Sequence, residues 1–149
     1  MNYQIDAIDK RILQLLQQDG KMKIKEVAHH LKMSNTPIFD RIKRLERTGF
    51  IKGYIAIVDQ KMLGFQIVAF CSVTLERHHT DFIEQFEKDV KELEEVEECY
   101  HIAGMFDYLL KVNVKDMIDY QNFITKKLAN LANIGKVQSS FVMTEIEME

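Results

Sequence analysis

Apolar residues recur at helical spacing through the first third of the chain and mostly at strand spacing beyond it. Ile8, Ile12, Leu15 and Leu16 fall on one face of a first helix. Asp6 is a good N-cap for it, Asp9 supports the first turn as in a capping box, and Asp19-Gly20 ends it. Ile24, Val27, Ala28 and Leu31 carry the i, i+3, i+4, i+7 pattern of a second, short helix, and Lys32-Met33 is a turn. Ser34 is the best N-cap in the chain. Pro37 sits in a first turn, where its missing N–H does no harm, and a third helix runs to about Thr48 with Gly49 as its stop. Residues 23–53 therefore have the form of a helix-turn-helix. Ile51 to Val58 then reads as β, with Gly53 at a bend, which suits a wing or a connector. The polar run Asp59-Gln60-Lys61 and Gly64 place a boundary near residues 59–64.

The second half changes period. Gln66 to Leu75 is rich in β-branched and aromatic residues and reads as a strand. Thr80 is the N-cap of a helix through about Leu93, with Phe82, Phe86, Val90 and Leu93 as its stripe and Ile83 widening it. Val96 to Ala103 is a second strand, Gly104 to Asp107 a turn, and Tyr108 to Val114 a third strand. Asp116 starts a further helix holding Ile118, Phe123, Ile124, Leu128 and Leu131, and Val137 to Ile146 is a final strand. The order β-α-β-β-α-β is that of a ferredoxin-like split βαβ unit, so the class is α+β. Two helices on one face leave the other face of a four-stranded sheet uncovered. Ile67, Ala69, Cys71 and Val73, with Val68, Phe70 and Leu75 opposed, are apolar on both faces, which predicts a dimer at least.

The 149 residues, 46% hydrophobic and 29% charged, are those of an ordinary soluble globular chain of one large or two small domains. No apolar run approaches the roughly 18 residues of a membrane span, and the start MNYQIDAIDKR lacks the pattern of a signal peptide. Cys71 and Cys99 have no CxxC spacing and read as reduced thiols, so a cytoplasmic location is expected. The charge is divided. Residues 1–60 hold eleven Lys+Arg against seven Asp+Glu; residues 61–149 hold nine against sixteen. The first half can approach phosphates, whereas the second would be repelled by them and needs another role.

The third helix carries the candidate chemistry. Ile38, Ile42 and Leu45 make its buried stripe, while Thr36, Pro37, Asp40, Lys43, Arg44 and Arg47 lie opposite, with Arg41 at the edge. Ser34, Asn35 and Thr36 at its start suit base edges in a major groove, and the cations suit phosphates. A plain three-helix bundle with a solvated charged face has the same pattern.

An ordered set of motifs adds to this reading. It runs Asp6-x-x-Asp9-x-x-Ile12-Leu13, Asp19-Gly20, Ser34-x-x-Pro37-x-x-x-Arg41-Ile42-x-x-Leu45-Glu46-x-x-Gly49-x-Ile51, Gly53-Tyr54, Leu63-Gly64 and Gly104-x-x-Asp107-Tyr108-Leu109-Leu110-Lys111-Val112. In this set the chain resembles the Lrp/AsnC, or feast/famine, regulators over nearly its whole length. The resemblance implies a winged helix-turn-helix domain at 1–52, a strand-bearing linker at 53–64 and a RAM domain at 65–149 for effector binding and oligomerisation. It implies double-stranded DNA as a partner and homodimers that assemble to tetramers or octamers. It also implies an amino acid or related metabolite as effector, bound between RAM domains of different dimers. The loop of Gly104, Met105, Phe106, Asp107 and Tyr108 would close over that ligand, with Asp107 holding its amino group. Two hydroxyl positions of the family on the last strand fall at Val137 and Ser139 here.

The chemistry of such a site is sound: a carboxylate accepts from an ammonium, and a glycine turn offers backbone N–H groups to a carboxylate. An ordinary β-turn with a capping aspartate reads the same way without the family. The chain departs from the family at Val137 and Ala103, where hydroxyl residues are common, and at Lys23, where serine usually caps the second helix. Lys23 there suits a phosphate. Two other functions are kept in view. Some proteins of this two-domain architecture decarboxylate haem precursors, and His101 beside the turn is the candidate such an enzyme would use. His29-His30 and His78-His79 read as exposed helix or loop residues. No Ser-His-Asp order, phosphate loop or metal spacing is seen, so no enzyme, cofactor or metal is expected. The other is an architectural DNA-compacting protein with little sequence choice.

Overall fold

The computed structural model describes residues 3–146, which form two compact units divided between Val58 and Asp59. Each unit has its own core.

In the first unit, α1 (Ala7–Gln18), α2 (Ile24–Leu31) and α3 (Asn35–Arg47) bury Ile12, Leu15, Val27, Ala28, Ile38, Ile42 and Leu45 together. The start of α1 is a complete capping box: Asp9 N–H donates to Asp6 Oδ1 at 2.8 Å, and Asp6 N–H to Asp9 Oδ2 at 3.1 Å. Lys23 leads into α2, and its N–H donates to Glu26 Oε2 at 2.9 Å, which replaces part of the missing cap. The turn to α3 passes through Lys32 in the left-handed region (φ 52°). Gly49 stops α3 at φ 80°, and Ile51 N–H returns to Leu45 O at 3.1 Å.

Two expectations for this unit are corrected. Ser34 occupies the N-cap with extended backbone, but its side chain makes no capping hydrogen bond. Residues 52–58 belong to no strand, because the three helices of their unit offer no open backbone edge to pair with. Ile55 and Ile57 are consequently 90% and 97% exposed.

The second unit is a four-stranded antiparallel sheet with helices on one face. Its elements are β1 (Ile67–Leu75), α4 (Thr80–Asp89), β2 (Val96–His101), β3 (Tyr108–Val114), α5 (Met117–Asn122) and β4 (Ile134–Phe141), and the strand order is β2-β3-β1-β4. That is the expected β-α-β-β-α-β order. Ala69, Cys71, Val73 and Leu75 of β1 and Tyr108, Leu110 and Val112 of β3 pack on Phe86, Tyr120, Phe123 and Leu128 from the helical layer. Leu75 therefore faces the helices and not, as the sequence reading had it, the opposite side with Val68 and Phe70. That opposite face presents Val68, Phe70 and Leu109 half-buried and Tyr100 half-exposed.

Several bounds also shift. Thr80 is the first residue of α4, with His79 at the cap, and α4 ends at Asp89, followed by a single 3-10 turn over Val90–Glu92. β2 ends at His101, two residues early. β4 begins at Ile134 and ends at Phe141, because its partner β1 runs out at Ile67. α5 continues through a π turn at Phe123–Lys127, which brings Phe123 and Leu128 into the core and leaves Ile118 70% exposed.

Candidate functional site

The outer row of α3 follows from the helical period. With Ile38, Ile42 and Leu45 in the core, Thr36, Asp40, Lys43 and Arg47 are all exposed, and Ser34, Asn35 and Lys23 are exposed beside them. Pro37 and Arg44 are half-buried on the flank. Lys43 Nζ lies 2.9 Å from Glu46 Oε2, and Tyr54 donates to the other oxygen of Glu46 at 3.1 Å. The Lys43 bond, against partial burial, holds the Glu46 carboxyl below its ordinary range. Asp40 has no ion pair or side-chain hydrogen bond among the described residues.

Arg41 has a different role from the one its place at the edge of the outer face implied. Its Nη1 reaches Asp6 Oδ2 and Asp9 Oδ1, both at 2.7 Å. Asp9 is fully buried and also accepts from the Tyr3 hydroxyl. Arg44 Nη2 stands 3.9 Å from Asp9 Oδ1, with its guanidinium 4.3 Å over the Tyr3 ring. Burial alone would raise the Asp9 pKa; the Tyr3 hydroxyl, the Asp6 N–H and Arg41 outweigh it and hold Asp9 below the usual carboxylate range. The motif residues Asp6, Asp9 and Arg41 thus tie the start of α1 to the middle of α3. Arg41 is neutralised inside the unit, and the outward cations are Lys43, Arg47 and, in part, Arg44. The signal for this was the Asp6-x-x-Asp9 pair itself, a second acidic residue more than a single cap requires.

In the second unit, β1 lies between β3 and β4, so Val73 pairs with Tyr108 on one side and Val137 on the other. This register brings the β2–β3 turn and the start of β4 to one end of the sheet. Gly104 has φ 148° and no neighbour where a Cβ would stand. Met105 is 85% exposed, and Phe106 is half-buried with Lys136 Nζ 5.9 Å from its ring centroid. Asp107 is anchored twice to β1: its N–H donates to Val73 O at 2.9 Å, and its Oδ2 accepts from Leu75 N–H at 2.7 Å. The same oxygen is 3.0 Å from His78 Nε2. Partial burial works to raise the Asp107 pKa, but the Leu75 N–H and His78 lower it on balance, so the group is an anion at neutral pH.

Tyr108 does not belong to the loop surface. Alternation along β3 sends its side chain to the helical layer, where it stacks on His101 at 4.6 Å and meets Phe86 at 4.5 Å. Its hydroxyl donates to Glu87 at 2.9 Å, and burial together with that carboxylate raises its pKa. His101 itself remains exposed beside that stack. Val137 is half-buried against the core, and the Ser139 hydroxyl accepts from Tyr120, whose oxygen also lies 3.2 Å from Cys71 Sγ. His78, Lys136 and Tyr120 are the neighbours that sequence reasoning missed. They come from the β1–α4 loop, β4 and α5, and only the packing of these segments gathers them.

Among the described residues no group of three or more His, Cys, Asp or Glu side chains could hold a metal ion, and no helix is long and apolar enough to cross a membrane.

Two family models match the chain: "Winged helix-turn-helix DNA-binding" over residues 5–52 and "Lrp/AsnC ligand binding domain" over residues 68–149. A helix-turn-helix unit and a ligand-binding α+β unit in one chain define a DNA-binding transcriptional regulator. The chain is 38% identical over 143 residues to the leucine-responsive regulatory protein of Escherichia coli strain K12, covering 96% of this chain and 87% of that one. A transcriptional regulator from Neisseria meningitidis, solved as an L-Met complex, is 31% identical with a TM-score of 0.92 and covers 97% of this chain and 94% of that one. An AsnC-family regulator from Agrobacterium tumefaciens gives the same identity and coverage with a TM-score of 0.90. The chain belongs to the Lrp/AsnC family, which is one of transcriptional regulators and not of enzymes.

Proposed function

We propose that α3 is the reading helix and that it enters the major groove with Ser34, Asn35, Thr36 and Asp40 towards base edges. Lys43, Arg44 and Arg47, with Lys23 and the flanking Pro37, lie along the phosphates. The observation that carries this is the exposed row Thr36, Asp40, Lys43 and Arg47, on a helix whose other side is fixed in the core. Asp40 is central to that row and would be repelled by a phosphate. Over a base edge it accepts from a cytosine amino group instead. Asp40→Asn is expected to shift one operator position from cytosine towards adenine, with a discrimination of about 1–3 kcal/mol per base pair. Selection from randomised DNA reads this out. An unchanged preference in the variant removes Asp40 from base recognition. Equal affinity of the wild type for its selected site and for random duplex favours the architectural alternative.

We further propose a cytoplasmic regulator organised as residues 1–52, a linker at 53–64 and residues 65–149. The half-buried apolar face of Val68, Phe70 and Leu109 supports a homodimer, and higher assembly to tetramers or octamers follows the family. The effector is an L-amino acid held through its ammonium at Asp107, with Gly104, Met105, Phe106, Val137 and Ser139 around it. Tyr108 supports that loop from beneath. The exposed Met105, the half-buried Phe106 and the apolar Val137 favour an apolar side chain, and the Neisseria relative binds L-Met. In a thermal-shift screen, L-methionine or L-leucine at about a hundred times its Kd stabilises the native protein by about 2.7 kcal/mol. Acidic amino acids give no shift. A shift with glutamate but none with the apolar pair refutes this assignment.

A further inference from the structure

We propose that the His78 ring is an internal stand-in for the effector's ammonium at Asp107, so that an effector binds only by displacing it. This rests on the reading of Asp107 as the ammonium acceptor.

Two donors already converge on Asp107 Oδ2, Leu75 N–H at 2.7 Å and His78 Nε2 at 3.0 Å. They are not equivalent. The first is a backbone donor of β1 and, with the Asp107 N–H bond to Val73 O, holds the aspartate in place by itself. The second is a side chain that is itself 60% exposed and can swing away, while the carboxylate beneath it is only 24% exposed. The ring covers the charged group that a ligand would need.

The loop that delivers the ring is held independently of Asp107. Asn133 adopts the left-handed region at φ 69°, its Oδ1 accepts from Arg77 N–H at 2.8 Å, and its amide donates to Arg77 O at 2.8 Å. Glu76 N–H donates to Asn133 O at 3.0 Å. This clamp pins the residues immediately before His78 to the start of β4. Removing the imidazole therefore leaves both the loop and the acceptor in place.

Protonation sets the strength of the contact. A charged imidazolium makes a charge-assisted bond to the carboxylate, and a neutral ring makes a weaker one. The charged groups around the pair are few. The β2–β3 hairpin contributes Asp107 and His101, the loop contributes Glu76, Arg77 and His79, and β4 contributes Lys136. Arg77 is turned onto the Phe82 ring and Lys136 onto the Phe106 ring, so neither neutralises Asp107 in place of His78. The ammonium of a free amino acid keeps its charge through neutral pH, whereas an imidazole ring can lose its proton there. Acid therefore favours the internal contact, and the ligand gains as the pH rises.

The test is calorimetric titration of the full chain with L-methionine at pH 5.5 and pH 8.0. In the wild type, affinity rises from pH 5.5 to pH 8.0, tenfold for each unit by which pairing with Asp107 holds the ring proton more firmly than the ligand-bound protein does. His78→Ala binds L-methionine more tightly at pH 5.5 and no longer responds to pH. His78→Gln keeps a neutral donor and is also pH-independent. On saturation of the wild type, the His78 ring resonances move towards those of an Asp107→Asn variant without ligand. Equal affinity and an equal pH response in wild type and His78→Ala overturn the proposal. If Asp107→Asn still abolishes binding in that case, the acceptor reading survives alone. Wild-type binding unaffected by Asp107→Asn overturns both.

Discussion

Asp9→Ala lowers the stability of the helix-turn-helix unit by about 3 kcal/mol, the cost of leaving a buried charge partner unmatched. Asp9 is the only fully buried carboxylate among the described residues, and it is joined by the Tyr3 hydroxyl, the Asp6 N–H and Arg41. Its loss strands the Arg41 guanidinium, which is one-fifth exposed, between two helices with only the exposed Asp6 to meet it. Urea denaturation of the full chain, followed by helical circular dichroism, measures the change. A loss of under 1 kcal/mol shows that the network is peripheral.

The same network sets the acid limit. Asp6 and Asp9 both titrate below the unfolded carboxyl value of roughly 3.9. The stabilisation they supply is present above that value and is lost as the pH falls through their lower folded values. The unit is expected to unfold in acid below about pH 4, and Asp9→Ala should flatten that dependence.

Operator affinity falls about a thousandfold between 50 and 200 mM salt. In the proposed dimer, the three outward cations of α3 on each protomer give about six phosphate contacts before Lys23 is counted, and each released counterion adds about 0.9 to the slope. Lys43→Ala and Arg47→Ala each reduce the slope by about one per lost contact. Arg41→Ala is expected to behave differently: its charge is already matched by Asp6 and Asp9, so the slope stays while stability drops. A slope lowered by Arg41→Ala as much as by Arg47→Ala would show that the ion pair opens on DNA. Fluorescence anisotropy over a salt series, on variants confirmed folded, distinguishes these outcomes.

The helices were legible in the chain because their causes are local. Asp6 with Asp9, the spacing of Ile24 to Leu31, and Gly49 each act within one turn, and α1, α2 and α3 begin and end within a residue or two of where those signals stand. The succession of strands and helices along the second half was legible too, since alternation and turn residues recur at short range. What failed depended on a partner. Residues 52–58 have a strand's composition but no neighbouring edge within their unit, and β4 ends where β1 ends. Ile118 and Phe123 read as apolar residues of one helix, yet Ile118 is 70% exposed while Phe123, where α5 passes into a π turn, is buried.

The site divides along the same line. By itself the sequence determined which helix carries a basic outer face, which turn carries Gly104 and Asp107, and the family to which the chain belongs. Only the tertiary structure decided that Arg41 answers to Asp9, that Tyr108 faces the core, and that His78 stands on Asp107. The two charge contacts join residues 32 and 29 positions apart. Periodicity reports which face of an element a side chain lies on. Which charge it meets there is settled by the packing of one element on another.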